Sequence, residues 1–225
     1  MVTKADWHFP KETLKFLKDL HKNNNRDWFK DNKSGYEQHW RDPAEEFAEL
    51  MSAGLETLTG QHHESKIFRI HRDVRFSKDK TPYNTHVHIS FFEPEKKSRT
   101  ATGCSAPHWL FGLETDRLVL GAGIFGFEKD ELMQYRQRID GKDGEKLQKI
   151  LNSQIKKGLT LHEPELKRVP KEFDADHPRG ELLRRKSLVV WKDLGKPAIA
   201  CEGNLVAECS KTFKTLKPVV DWLSE

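Results

Sequence analysis

The apolar residues of this chain keep a helical spacing as far as Gly60 and then switch to alternation, which sharply limits the folds open to it. Leu14, Leu17 and Leu20 share one helical face after Phe9-Pro10, and Asn23-Asn24-Asn25 breaks the run. A second helix is expected from Arg26 to about Trp40. Asp42, Pro43 and Glu45 read as N-cap, first-turn proline and capping-box acid of a third helix. Its stripe is Phe47, Leu50, Met51, Leu55 and Leu58, and Gly60 ends it. Strands follow. Phe68, Ile70, Arg72, Val74 and Phe76 would share one strand face and Arg69, His71, Asp73 and Arg75 the other. Val87, Ile89 and Phe91 alternate with His86, His88 and Ser90, and residues 109–114 and 117–121 suggest a hairpin around Thr115-Asp116. Helical patterns return over 128–140 and 145–157, a long polar loop at 163–180 and a short strand at 187–191 follow, and a helix over 205–223 closes the chain. Helices, then strands, then helices predict an α+β fold. The expectation is a single domain over residues 1–225, with a mainly antiparallel sheet covered by N-terminal and C-terminal helices.

With 13 Phe, 6 Trp and 3 Tyr the chain is too aromatic to be disordered, although 33% of it is charged. A chain of this length buries roughly 70–75% of its unfolded surface and needs no covalent staple. Cys104, Cys201 and Cys209 are odd in number and have no CxxC spacing, so reduced thiols are expected. The opening residues carry no apolar leader run, and the most apolar stretch, Leu118 to Phe127, is far short of a membrane span of about 20 residues. A cytoplasmic protein without a membrane partner is therefore expected.

Several short motifs invite a chemical reading. Gly121-Ala122-Gly123-Ile124-Phe125-Gly126 matches the dinucleotide fingerprint, but no second parallel strand follows within about 30 residues. A glycine-rich exit from a sheet is the plainer reading. Ser77-Lys78-Asp79-Lys80 matches SxxK, but Pro82 follows at once and the companion motifs are absent. His86 and His88 would lie on one strand face, and a metal would need a further ligand such as His71 or Asp73. No metal site is assigned from these residues.

Charge concentrates in one segment. Between Lys66 and Lys80 six basic residues face two acidic ones, an excess equal to the +4 of the whole chain. Arginine forks match carboxylate and phosphate, and lysines add point charge. Arg72, planted on an apolar strand face, would need an anion, whether a protein carboxylate or a ligand. A second basic group comprises Lys167, Arg168, Lys171, Arg184, Arg185 and Lys186.

Three blocks then resemble a known family. The first is Phe16-Leu17 and Leu20 followed by Asn24-Asn25-Arg26-Asp27-Trp28-Phe29. The second runs from Arg69-Ile70 through Arg72-Asp73, Arg75-Phe76-Ser77-Lys78-Asp79-Lys80 and Pro82-Tyr83. The third joins Leu166-Lys167-Arg168, Pro170-Lys171, Phe173, Asp176-His177-Pro178, Leu182-Leu183-Arg184 and Lys186. In order and spacing they are similar to the bacterial domain-of-unknown-function family 2461. The resemblance implies a single-domain soluble protein and carries over no catalytic residue. Two departures stand out. Asn84 occupies a place where the family often has lysine, and Phe127 and Glu128 follow the glycine block where relatives tend toward proline.

The leading expectation is that Arg69, Arg72, Arg75, Lys78 and Lys80, with Arg168 and Lys186, bind an anionic small molecule, phosphorylated or carboxylated. An enzyme built there would use Asp73 or a histidine as acid or base. The alternatives are a nucleic-acid-binding module, a metal-dependent hydrolase using His86 and His88, and an interaction protein whose cations form internal ion pairs. Nucleic acid ranks lower because Phe68 and Phe76 read as core. No cofactor is assigned.

Overall fold

A computed structural model describes residues 6–94 and 106–225, and Cys104 lies outside them. The order is α1 (Lys11–Lys22), α2 (Arg26–Asp31), α3 (Lys33–Tyr36), a π-helical turn (Glu37–Arg41) and α4 (Asp42–Thr59). Strands β1 (Glu64–Ile67), β2 (Val87–Phe92), β3 (His108–Leu113) and β4 (Leu118–Ile124) come next. Helices α5 (Lys129–Asp140) and α6 (Lys142–Lys156), strand β5 (Thr160–Leu161), α7 (Gly180–Leu183) and β6 (Leu188–Gly195) follow. A 3-10 turn (Pro197–Cys201) and α8 (Leu205–Ser224) complete the chain. The fold is α+β, with one six-stranded antiparallel sheet in the order β1-β2-β3-β4-β6-β5. Among the described residues no helix is long and apolar enough to cross a membrane.

Two compact units make up the chain. The first is Met1–Phe91, Leu110–Leu120 and Asp193–Thr212, and the second is Phe92–Trp109, Gly121–Lys192 and Phe213–Glu225. The first unit is built on an aromatic core. Phe9, Phe47 and Phe111 lie with ring centroids 4.4–5.9 Å apart, joining the N-terminal segment, α4 and β3. Such pairs add about 0.5–1.5 kcal/mol each to the burial of their area. The apolar faces read from sequence are the buried ones: Leu14, Leu17 and Leu20 on α1, and Phe47, Met51 and Leu55 on α4.

Two local expectations are overturned here. Asp42 is not an N-cap. It has helical dihedrals (φ −60°, ψ −45°) and the chain runs through it from the π-helical turn. Pro43 has no N–H for the carbonyl one turn back, and the wider turn immediately before it absorbs that defect. The strand expected over 68–76 is also absent. β1 ends at Ile67, and beyond it a single antiparallel bridge, His71 with Tyr83, holds the base of an outward loop. Alternation failed as a guide because its polar partners close a loop instead. Asp73 and Asp79 accept hydrogen bonds from side chains and amides within the segment, and Pro82 cannot donate to a ladder. Phe68 and Phe76 are therefore not core: they are 41% and 95% exposed.

In the second unit, α5 and α6 carry the packing. Arg138 stacks 3.8 Å over Trp222, whose indole N–H donates to the Asp143 carbonyl at 3.0 Å. Arg179 donates to the carbonyls of Ile139 (2.7 Å) and Asp140 (2.8 Å), capping the end of α5. The glycine block serves the sheet. A side chain on Gly121 would strike the Trp191 ring, and one on Gly123 (φ +142°) would lie 1.9 Å from the Leu188 carbonyl oxygen. β4 and β6 thus approach closely because these residues lack a Cβ. Gly123→Ala is expected to destabilise the protein by about 2–4 kcal/mol through this clash and the unfavourable φ, measured by urea denaturation. Gly126, with open space around it, should tolerate the same change.

Candidate functional site

The basic segment forms a self-closed loop in the first unit. Arg72 donates to Asp79 at 2.6 Å, to the Thr81 carbonyl at 3.0 Å and to the Thr81 hydroxyl. Arg75 grips Asp73 through Nε (3.0 Å) and Nη2 (2.7 Å). Lys80 donates to the Val74 carbonyl at 2.9 Å. The anion that Arg72 needed is therefore Asp79 of its own loop. The Asp73 carboxyl is held at about 2 by Arg75, and that of Asp79 at about 2 by the Thr81 amide and Arg72. Three of the five expected cations thus shape the loop. Arg69 and Lys78 form no side-chain hydrogen bond or ion pair among the described residues, and both are exposed.

The first block of the sequence holds this loop in place. The Asn24 carboxamide donates to the Tyr83 carbonyl at 2.8 Å and accepts from the Tyr83 N–H at 3.0 Å. Phe29 stacks on the Tyr83 ring at 4.1 Å, 15° from parallel. Asn25 caps α2 by accepting from the Trp28 N–H at 2.9 Å, which fixes the approach of that helix. Asn84 donates from its amide N–H to the Ile70 carbonyl and from its side chain to the Arg69 carbonyl (3.0 Å). It closes the loop base with these two donated hydrogen bonds.

Beside the loop lies a polar cluster that the sequence only partly signalled. His86 and His88 stack at 3.6 Å between centroids, 16° from parallel. His88 Nε2 lies 3.3 Å from Glu114 Oε1, and Arg117 Nε donates to the other carboxylate oxygen at 2.8 Å. Gly112 makes room for this: a Cβ there would sit 3.2 Å from the His88 ring. The Trp40 indole N–H donates to the His86 carbonyl at 3.1 Å and fixes the start of β2. Burial, His88 and the Arg72 charge push the His86 imidazole down to about 4. Burial also lowers His88, against the pull of Glu114. Burial would raise Glu114, but Arg117 and His88 together bring it down. At neutral pH the cluster holds two neutral imidazoles and an ionised carboxylate. His86 was singled out in sequence only as half of a metal pair, and the roles of Glu114 and Arg117 were missed. The hairpin around Thr115-Asp116 was the one signal that places those two side chains together.

Other candidates fall elsewhere. His71 packs against Phe29 and Tyr83, so neither it nor the Arg75-bound Asp73 joins the histidine pair. No group of three His, Cys, Asp or Glu side chains among the described residues is disposed to hold a metal ion. Ser77 lies in a turn, its N–H donating to the Val74 carbonyl, while Lys80 is engaged with carbonyls. Cys201 and Cys209 are free and buried, and burial pushes the Cys201 thiol up to about 11. Arg168 and Lys186 belong to the second unit. Both side chains are exposed, and the Lys186 backbone donates to Glu165 and accepts from the Phe127 N–H. Arg185 of the same group is 4% exposed and structural, donating to the His162 carbonyl and to Glu181 at 2.6 Å each.

The histidines predict a pH dependence. His86 has a folded-state value near 4, below its unfolded value of 6.5. Between those two values the unfolded chain binds more protons, so stability rises with pH across the window and is fully present above it. Replacing His86 by Asn is expected to flatten the slope of unfolding free energy between about pH 4 and 6.5, measured by urea denaturation at several pH values.

A comparison with curated proteins finds no match. The model of a family described as a conserved hypothetical protein, DUF2461, matches residues 12–222. That span takes in the Asn24 clamp, the basic loop, the histidine cluster and the loop leading to α7. The chain belongs to the DUF2461 family.

Proposed function

We propose that the first unit binds a small anionic molecule, phosphorylated or carboxylated, at the base of the basic loop. One observation carries the reading: a partly exposed pair of neutral imidazoles stands beside a loop that leaves Arg69 and Lys78 exposed and, among the described residues, free of side-chain hydrogen bonds and ion pairs. An anion is attracted by these exposed cations and needs no internal ion pair to be broken first. Arg72 and Arg75 act as positioning residues, because their carboxylate partners are already in the loop. His86, unprotonated at neutral pH, can accept a hydrogen bond from a protonated group of a bound ligand, and the stacked His88 ring, held by Glu114 and Arg117, would orient it. Asp73 is not suited to that task, since Arg75 keeps it engaged.

Arg72 and Arg75 substitutions would deform the loop as well as any site, so they are poor tests. Arg69→Ala combined with Lys78→Ala leaves every internal pair intact. A panel of phosphorylated metabolites and dicarboxylates is screened by thermal shift. A ligand at 100 times its Kd stabilises by about 2.7 kcal/mol, a rise in Tm of roughly 5–11 °C for a chain of this size. We expect the double variant to keep the unliganded Tm and lose the rise. A rise that survives in the variant, or no rise with any anion, contradicts the reading.

A further inference from the structure

The outer side of the same loop carries a feature that a small-molecule site does not use. Phe76 stands at the apex with 95% of its surface exposed, and Phe68 is 41% exposed near the loop base. Each has a cation against its ring: Arg75 lies 5.9 Å from the Phe76 centroid and Lys66 5.5 Å from that of Phe68. Lys78 and Arg69 add exposed charge within three residues of these rings. The apex is built, not slack. Arg72–Asp79, Arg75–Asp73 and the Lys80 contact with the Val74 carbonyl close the loop from inside. Its phenyl ring is therefore presented to solvent at little further cost in ordering on binding.

We propose that this apex is a platform for single-stranded nucleic acid, with Phe76 and Phe68 stacking on bases and Lys66, Arg69 and Lys78 following the phosphates. Alternating aromatic rings and cations is the composition that such binding needs, because every base has a stackable face and every linkage a charge. The excess of +4 between Lys66 and Lys80 supplies the charge complementarity. A lipid surface fits less well: one fully exposed phenyl, flanked by Asp73 and Asp79, offers little apolar area to insert. The platform shares Arg69 and Lys78 with the small-anion reading but takes its bases on Phe76 and Phe68, so substitution of Phe76 tests it without touching that reading.

The test is fluorescence anisotropy of a labelled 15-nucleotide mixed-sequence single strand at 50 mM salt, with the full chain. Binding is expected to weaken as salt rises. Phe76→Ala is expected to weaken it about tenfold. Lys78→Ala is expected to lower the salt slope by about 0.7. Phe76 is almost fully exposed, so its variant should keep the parent Tm, and Phe76→Trp should retain the affinity. Three results would overturn the proposal. They are no binding to the strand, equal binding by Phe76→Ala, and binding to vesicles of one-third anionic lipid that depends on Phe76 while the strand stays free. His86→Asn should leave strand affinity unchanged, which separates this platform from the small-anion site.

Discussion

One carboxamide decides the shape of the candidate site. Asn24 takes both backbone groups of Tyr83, a strand-like pairing made by a side chain 59 residues away in sequence. Without it the Tyr83 amide and carbonyl, part-buried under Phe29, would lack partners at a cost of about 1–3 kcal/mol. The clamp sets the return arm of the loop, and His71, Arg72 and Asn84 close its base. The arginines can then pair with carboxylates a few residues away. The loop is a consequence of its anchor as much as of its charges.

The same constraint explains how the charges divide. A flexible basic segment would offer all its cations to a ligand. This one commits Arg72, Arg75 and Lys80 to its own acids and carbonyls and leaves Arg69 and Lys78 outside. Surface ion pairs contribute little stability individually. Here they matter for conformation: they hold a loop that has no core of its own, and they keep Asp73 and Asp79 ionised. The internal-pairing expectation and the ligand expectation thus apply to different members of one cluster.

Much of this was legible in the sequence. The helical faces of α1 and α4, the β3–β4 hairpin, α8 and the α+β order all follow from period and breakers, because burial on one side imposes period on residues such as Leu17 and Met51. The Asp42 cap was misread because Pro43 marks a helix start in most contexts, whereas here a π-helical turn carries the helix into it. The 68–76 strand was misread for a related reason. Alternation is a strand signal when one face is buried, but at Phe76 both faces meet solvent. The pairing of Asn24 with Tyr83, and of Glu114 with His88 and Arg117, was beyond local pattern, since it depends on which segments the sheet brings together.

The most direct test of the central claim is side-chain NMR of the arginine Nε–H and Nη–H groups and histidine rings during titration with the anion that raises Tm most. The account predicts that the Arg69 and His86 signals move together along one saturable curve. The Arg75 Nε–H and the Arg72 Nη–H signals should stay in place and protected from exchange, since their partners are internal. If Arg72 instead leaves Asp79 as the anion binds, or if Arg69 does not respond, the loop is not a preformed anion site.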